Sequence, residues 1–228
     1  MQSSAFAFRS DPAGVLYVLH ADDALIVVDK PAGLLCVPGR GPQGADCLAR
    51  RVQAHWPDAL VVHRLDMATS GLVAFARGHA AQRCLGRAFA AREVDKRYVA
   101  VVGGLLAAPG GDGGWGEIAL PLAADWPRRP RQCVDADGGK PSLTRWRVLA
   151  HDAAAGTTRL ELRPVTGRTH QLRVHLQALG HPIVGDALYG PLVGTAAPPS
   201  RLRLHAAWLA FAHPAHGGRV AFVSDVPF

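Results

Sequence analysis

The stretch Val62-His63-Arg64-Leu65-Asp66-Met67-Ala68-Thr69-Ser70-Gly71-Leu72 sets a guanidinium and a carboxylate two residues apart between apolar runs. Residues two apart on an extended segment project to the same side, so Arg64 and Asp66 face one partner. A carboxylate in that position serves as a nucleophile or an electrostatic stabiliser. The plainer alternative is a solvated turn that Asp66 caps through Thr69 or Ser70. Two further places offer chemistry. In Thr166 to Leu176, TGRTHQLRVHL, Arg168 stands at the mouth of a helix just ahead of His170 and Gln171. In RYVAVV, Tyr98 opens an apolar strand behind Lys96 and Arg97, either as a core tyrosine with a satisfied hydroxyl or as a group facing a substrate. GHPIVGDALYG, Gly180 to Gly190, adds a glycine-bounded turn beside Asp186.

Other chemistries lack their residues. His170 and His175 are five apart and His181 lies six further on, whereas a zinc helix places its histidines four apart on one face. No metal site and no cofactor are expected, and P-loop and GxSxG patterns are absent from the sequence. Cys36, Cys47, Cys84 and Cys133 are scattered without a CxxC pair, so they read as isolated core thiols.

The elements that must hold these residues are legible from period and punctuation. Val15 to Leu19 and Ala24 to Lys30 read as strands turning at Asp22-Asp23, with Lys30-Pro31-Ala32-Gly33 ending the second. Helical spacing runs through Asp46 to Trp56, through His79 to Val94 with Cys84, Leu85, Ala88 and Phe89 on one side, and through His170 to Gly180 with Leu172, Leu176 and Leu179 on one face. Gly71 to Arg77 and Arg97 to Val102 read as buried strands, and Gly103 to Gly116 as a surface loop. LTRWRVL and RLELRP form a hairpin around Ala153 to Gly156, and RLRLHAAWLAFAHP and RVAFVSD close the chain as strands. Roughly eight or nine strands interleaved with three helices, many joined by hairpin-length turns, predict an α+β fold. Its mixed, largely antiparallel central sheet carries flanking helices and a catalytic cleft. Residues 15–228 are expected to form one domain behind a short extension, 1–14.

The 228 residues hold 25 basic against 18 acidic side chains, a net charge of +7. The basic groups crowd into Pro127 to Gln132, Gly167 to His175 and Arg201 to His205, which favours a polyanionic partner. No apolar run reaches membrane-spanning length and the N-terminus does not read as a secretory signal, so the expectation is a cytoplasmic protein without a membrane partner.

Four ordered segments resemble the RluA family of pseudouridine synthases: VVDKPAGLLCVPG, HRLDMATSGL, KRYVAVV and TGRTHQLRVHLQALGHPIVGD. The resemblance runs from about Val15 to the C-terminus. DWPRRPRQ and GKPSLTRW are similar to the short members that act on both transfer and ribosomal RNA, and no S4-type RNA-binding domain is expected. Agreement is loosest at Ala107 to Gly116 and Cys133 to Gly138, which bear on the choice of RNA more than on the chemistry.

The resemblance implies a pseudouridine synthase fold and an isomerisation that needs no cofactor, with Asp66 as its carboxylate. It puts Arg168 beside that carboxylate, where a guanidinium keeps a carboxylate charged in an apolar pocket. Tyr98 would stack on the uracil and take part in removing the C5 proton, and Leu172 would line the pocket. A base inside an RNA loop must leave its stack before it reacts, and Arg64 would fill the gap. Arg128, Arg129, Arg131 and Lys140 are expected to meet phosphates, with a solvated basic surface as the alternative. The implied targets are the tRNA anticodon stem-loop (position 32) and a 23S rRNA hairpin, bound by a monomer. Two other functions fit less well: an enzyme confined to 23S rRNA, and a non-catalytic RNA-binding or RNA-folding protein. A hydrolase built on Asp66 lacks a partner acid or a suitably spaced histidine.

Overall fold

A computed structural model describes residues 16–39, 41, 44–110, 112–190 and 201–228. The expected extension 1–14 lies outside the described residues, as does Val15, the expected start of the first strand. The chain divides into two compact units, Met1–Lys96 with Ala206–Asp225, and Arg97–His205 with Val226–Phe228.

In the first unit, β1 (Tyr17–Ala21) and β2 (Leu25–Lys30) form an antiparallel hairpin. The turn closes because Asp22 Oδ1 accepts the N–H groups of Ala24 and Leu25, each at 2.8 Å. β2 pairs antiparallel with β4 (Ser70–Arg77), which also carries the short β3 (Ala59–Val61). All of β4 but Arg77 is buried, a continuous apolar run of the kind covered on both faces. α2 (Gly78–Ala90) sets Ala81 and Leu85 into a cluster with Leu25, Val27, Leu72, Ala74 and Phe211. α1 (Leu48–His55) buries Leu48, Ala49 and Val52. Gly71 is obligatory: its φ is +114°, and a Cβ there would lie 2.4 Å from the Ala206 carbonyl oxygen.

In the second unit, β5 (Asp95–Gly103), β10 (Thr157–Pro164), β9 (Thr144–Asp152) and β6 (Gly116–Ile118) pair in that order, each antiparallel to the next. A separate ribbon joins β7 (Leu122–Ala124) to β8 (Gln132–Val134). α3 (Gln171–Ala178) packs on β8, β9 and β10. The chain closes with β11 (Leu204–Ala212) and β12 (Arg219–Val223), an antiparallel hairpin whose register pairs belong to the first unit.

The α+β fold with a largely antiparallel sheet and three helices is present, but the strands number twelve among the described residues. β3, β6, β7 and β8 are the additions; three residues are too few to show a period. Cys84 is exposed on α2 and Cys133 half-buried, so only Cys36 and Cys47 are the core thiols expected of all four. Leu179 is likewise exposed, whereas Arg173 and His175 of α3 are buried, because both find polar partners there. Only Ala100 to Val102 of β5 are buried, and Tyr98 is half-buried.

Candidate active site

Asp66 sits in the first unit, between β3 and β4. Arg64 is exposed, Leu65 is buried and Asp66 is half-buried. The alternation fits the extended segment read from the sequence. Hydrogen bonds to main-chain carbonyls fix the turn after Asp66. The Asp66 carbonyl accepts the Thr69 N–H at 3.1 Å. The Met67 carbonyl accepts the Gly33 N–H at 2.9 Å and Lys30 Nζ at 3.1 Å. Lys30 is fully buried and also donates to the carbonyls of Pro31 and Leu34. A residue that reads as the end of a strand thus ties the turn after β2 to the turn after Asp66. The turn is not capped through the Thr69 side chain: Thr69 Oγ1 is buried without a hydrogen-bond partner among the described residues.

His63 anchors the segment from the other side. Its Nε2 accepts the Ala74 N–H at 2.9 Å and its ring stacks on Phe89. Burial, and secondarily the Lys96 ammonium, hold its pKa down to about 3, so the ring stays neutral and able to accept. In the unfolded chain the same group titrates near 6.5, so the unfolded state takes up more protons between these values. The contribution is fully present above pH 6.5 and declines as pH falls toward 3. Urea titrations should show wild type losing up to about 1.4 kcal/mol per pH unit more than His63→Gln across that window. Parallel curves for the two proteins would remove His63 from this role.

The second unit holds Tyr98, Arg168 and Leu172. Tyr98 lies on β5 opposite Leu162 of β10, and Leu172 is buried in the first turn of α3. Arg168 is exposed in the turn before α3, and Gln171 fixes that turn. Gln171 Oε1 accepts from Thr166 Oγ1 at 2.7 Å and from the Arg168 N–H at 3.0 Å, while its Nε2 donates to the Leu143 carbonyl and Thr144 Oγ1. Arg168 Nε donates to the Pro141 carbonyl at 3.3 Å.

Arg128, Arg129, Arg131 and Lys140 share the β7–β8 ribbon. Lys140 exchanges backbone hydrogen bonds with Leu122, and the three arginines lie in the loop between the strands. Arg128 pairs with Asp125 at 2.8 Å, and the Arg129 guanidinium lies 3.4 Å over the Trp126 ring. Tyr189 links this ribbon to the head of α3. Its hydroxyl accepts the Gln132 N–H at 2.7 Å and lies 2.7 Å from His170 Nδ1. Tyr189 is in turn held by Asp186, which accepts the backbone N–H groups of Leu188 and Tyr189. The sequence marks the turn around Asp186 but gives Tyr189 no task; the Asp-x-x-Tyr spacing is its one signal.

The histidines singled out by spacing are used separately. His170 meets Tyr189, His175 meets Ser142, Thr144 and the Leu120 carbonyl, and His181 meets the Gly103 carbonyl. The described residues do gather His20, Asp22 and His213, but Asp22 Oδ2 already accepts from both rings, at 2.6 and 2.9 Å. That cluster staples the β1–β2 turn to the turn after β11.

Comparisons with known proteins show the family. Residues 24–178 match the family described as RNA pseudouridylate synthase. The chain is 47% identical over 213 residues to the dual-specificity RNA pseudouridine synthase RluA of Escherichia coli O6:H1, covering 93% of this chain and 94% of that one. The protein of the same name from Pasteurella multocida is 48% identical over 199 residues, 87% of this chain and 88% of its own. Among solved structures, human RNA pseudouridylate synthase domain containing 1 superposes with a TM-score of 0.76 at 31% identity, covering 96% of this chain and 87% of that chain. Human RNA pseudouridylate synthase domain containing 4, at 24% identity and a TM-score of 0.68, shares the fold over 92% of this chain and 88% of its own.

Proposed function

Because the chain belongs to the RNA pseudouridylate synthase family, we propose that it isomerises uridines in both the tRNA anticodon stem-loop (position 32) and a 23S rRNA hairpin. The observation that carries this reading is the 47% identity to a dual-specificity relative over nearly the full length of both chains. The catalytic domain would span residues 15–228 and act as a monomer in the cytoplasm. No described helix is long and apolar enough to cross a membrane.

In this reading the N1–C1′ bond breaks, the base turns, and C5 joins C1′ while the C5 proton leaves and N1 gains one. Nothing is oxidised and no group leaves the molecule, so side chains suffice. Asp66 acts as the carboxylate, adding to the sugar or stabilising its developing positive charge. Arg168 supplies the guanidinium of the site, Tyr98 stacks on the uracil and serves the proton removal, and Leu172 lines the pocket. Arg64, exposed two residues before Asp66, fills the space of the base that leaves its stack. What supports these roles is the anchoring of each segment: Lys30 and His63 brace the Asp66 turn, and Gln171 braces the Arg168 turn.

The ribbon of Arg128, Arg129, Arg131 and Lys140 would follow the phosphates. Replacing its three arginines with alanine should weaken RNA binding and flatten the plot of log K against log salt. The slope should fall by roughly 0.7–0.9 for each phosphate no longer neutralised. An unchanged slope would make the ribbon an ordinary solvated surface.

Mapping pseudouridines in cells that lack the protein tests the choice of RNA. Loss is expected in tRNA anticodon stem-loops and in one 23S hairpin. Loss confined to 23S RNA would favour an enzyme of ribosomal RNA alone, and no loss in either would contradict the reading.

A further inference from the structure

We propose that Trp126 is a stacking platform for an unpaired nucleobase of the bound RNA, an inference that rests on the RNA-modifying reading above. Trp126 stands in the loop of the β7–β8 ribbon and is 66% exposed, more than any other large hydrophobic side chain described. An indole left so far in water contributes little to a core. Backbone hydrogen bonds close the loop that carries it. Asp125 N–H donates to the Arg131 carbonyl at 3.0 Å, and Arg128 N–H and Arg131 N–H close successive turns at 3.1 and 3.0 Å. Arg128 Nε is held by the buried Asp125 carboxylate at 2.8 Å. The ribbon is tied below to Tyr189 through Gln132.

The ring itself is oriented by Arg129, whose guanidinium lies 3.4 Å over it. That cation rests on the indole and leaves most of the side chain exposed. A preorganised aromatic flanked by arginines suits a single-stranded loop. Each base offers a π-face, and the neighbouring cations meet the adjoining phosphates. Because stacking does not depend on the identity of the base, one platform would serve two loops of different sequence. A protein partner for the same indole is the competing occupant.

The test is binding of a short stem-loop RNA to the full chain and to Trp126→Ala and Trp126→Phe, by fluorescence anisotropy at several salt concentrations. Trp126→Ala should weaken binding roughly five- to 150-fold, the range expected when one base stack is removed. Trp126→Phe should recover most of it, which also guards against a folding defect in the alanine variant. The salt slope should stay at the wild-type value, because every phosphate keeps its cation. Equal affinity of wild type and Trp126→Ala would overturn the proposal and leave the indole to a protein partner. So would weaker binding with a shallower slope, which would mean that the indole acts only by holding Arg129 against a phosphate. A wild-type chain that bound no structured RNA would instead overturn the underlying RNA reading, and this inference with it.

Discussion

Asp66→Asn is expected to abolish pseudouridine formation while leaving RNA affinity near the wild-type value. The amide is nearly the same size as the carboxylate, and the bonds that hold the turn end on main-chain carbonyls: the Asp66 carbonyl accepts the Thr69 N–H, and the Met67 carbonyl accepts the Gly33 N–H and Lys30 Nζ. None of these bonds depends on the side-chain charge. What the change removes is a negative oxygen able to add to the sugar or to stabilise positive charge on it. Loss of a group on which the covalent step depends costs several powers of ten, so turnover should fall by roughly a thousandfold or more. Single-turnover assays at saturating RNA, paired with binding measurements, separate this from a binding defect. Activity within tenfold of wild type would show that Asp66 does not have this role.

The largest effect on stability should come from Asp186→Ala. The Arg173 and Asp186 side chains are 5% and 0% exposed, and they meet through two short bonds, Nε to Oδ2 at 2.7 Å and Nη2 to Oδ1 at 2.8 Å. Removing the carboxylate leaves a guanidinium buried without its counter-charge, which typically costs about 3–5 kcal/mol. The melting temperature should fall by roughly 6–20 °C. Leu188 and Tyr189 also lose their N–H acceptor, so the link from Tyr189 to Gln132 and His170 loosens. Burial alone would raise the Asp186 pKa, but the Arg173 hydrogen bonds and charge outweigh it and hold the group below 3.8. A depressed pKa means stability that is present above the unfolded value and lost as pH falls through the folded one. Acid unfolding should therefore be less steep in the variant. Replacing both partners together, as Arg173→Met with Asp186→Leu, should recover much of the loss, since no lone charge stays buried. A shift in melting temperature below about 2 °C for Asp186→Ala would contradict this account.

The sequence makes some parts of the molecule plain and hides others for physical reasons. The β1–β2 turn is legible because Asp22 caps it locally, and α2 because Leu85, Ala88 and Phe89 recur at helical spacing. The head of α3 is legible through Arg168 and Gln171, whose bonds span only a few residues. Local order leaves a local signature. Arg173 and His175 are not legible as buried groups, because their partners lie 13 residues on at Asp186 and 31 residues back at Thr144. Lys30 is hidden in the same way: the carbonyl that explains its burial belongs to Met67, 37 residues along. The resemblance supplies Asp66, Tyr98 and Arg168 as a set, which neither their spacing nor their types would join. It does not supply the braces His63, Lys30 and Tyr189.

The central claim is that one chain isomerises uridine in two unrelated RNAs through a locally read loop. The most direct measurement is tritium release from C5-labelled uridine in an isolated anticodon stem-loop of under about twenty nucleotides, run beside the 23S hairpin. A short stem-loop suffices if recognition is local, and both substrates should release tritium with wild type and neither with Asp66→Asn. Release from the hairpin with none from any anticodon stem-loop would contradict dual specificity, and release from neither would contradict the account as a whole.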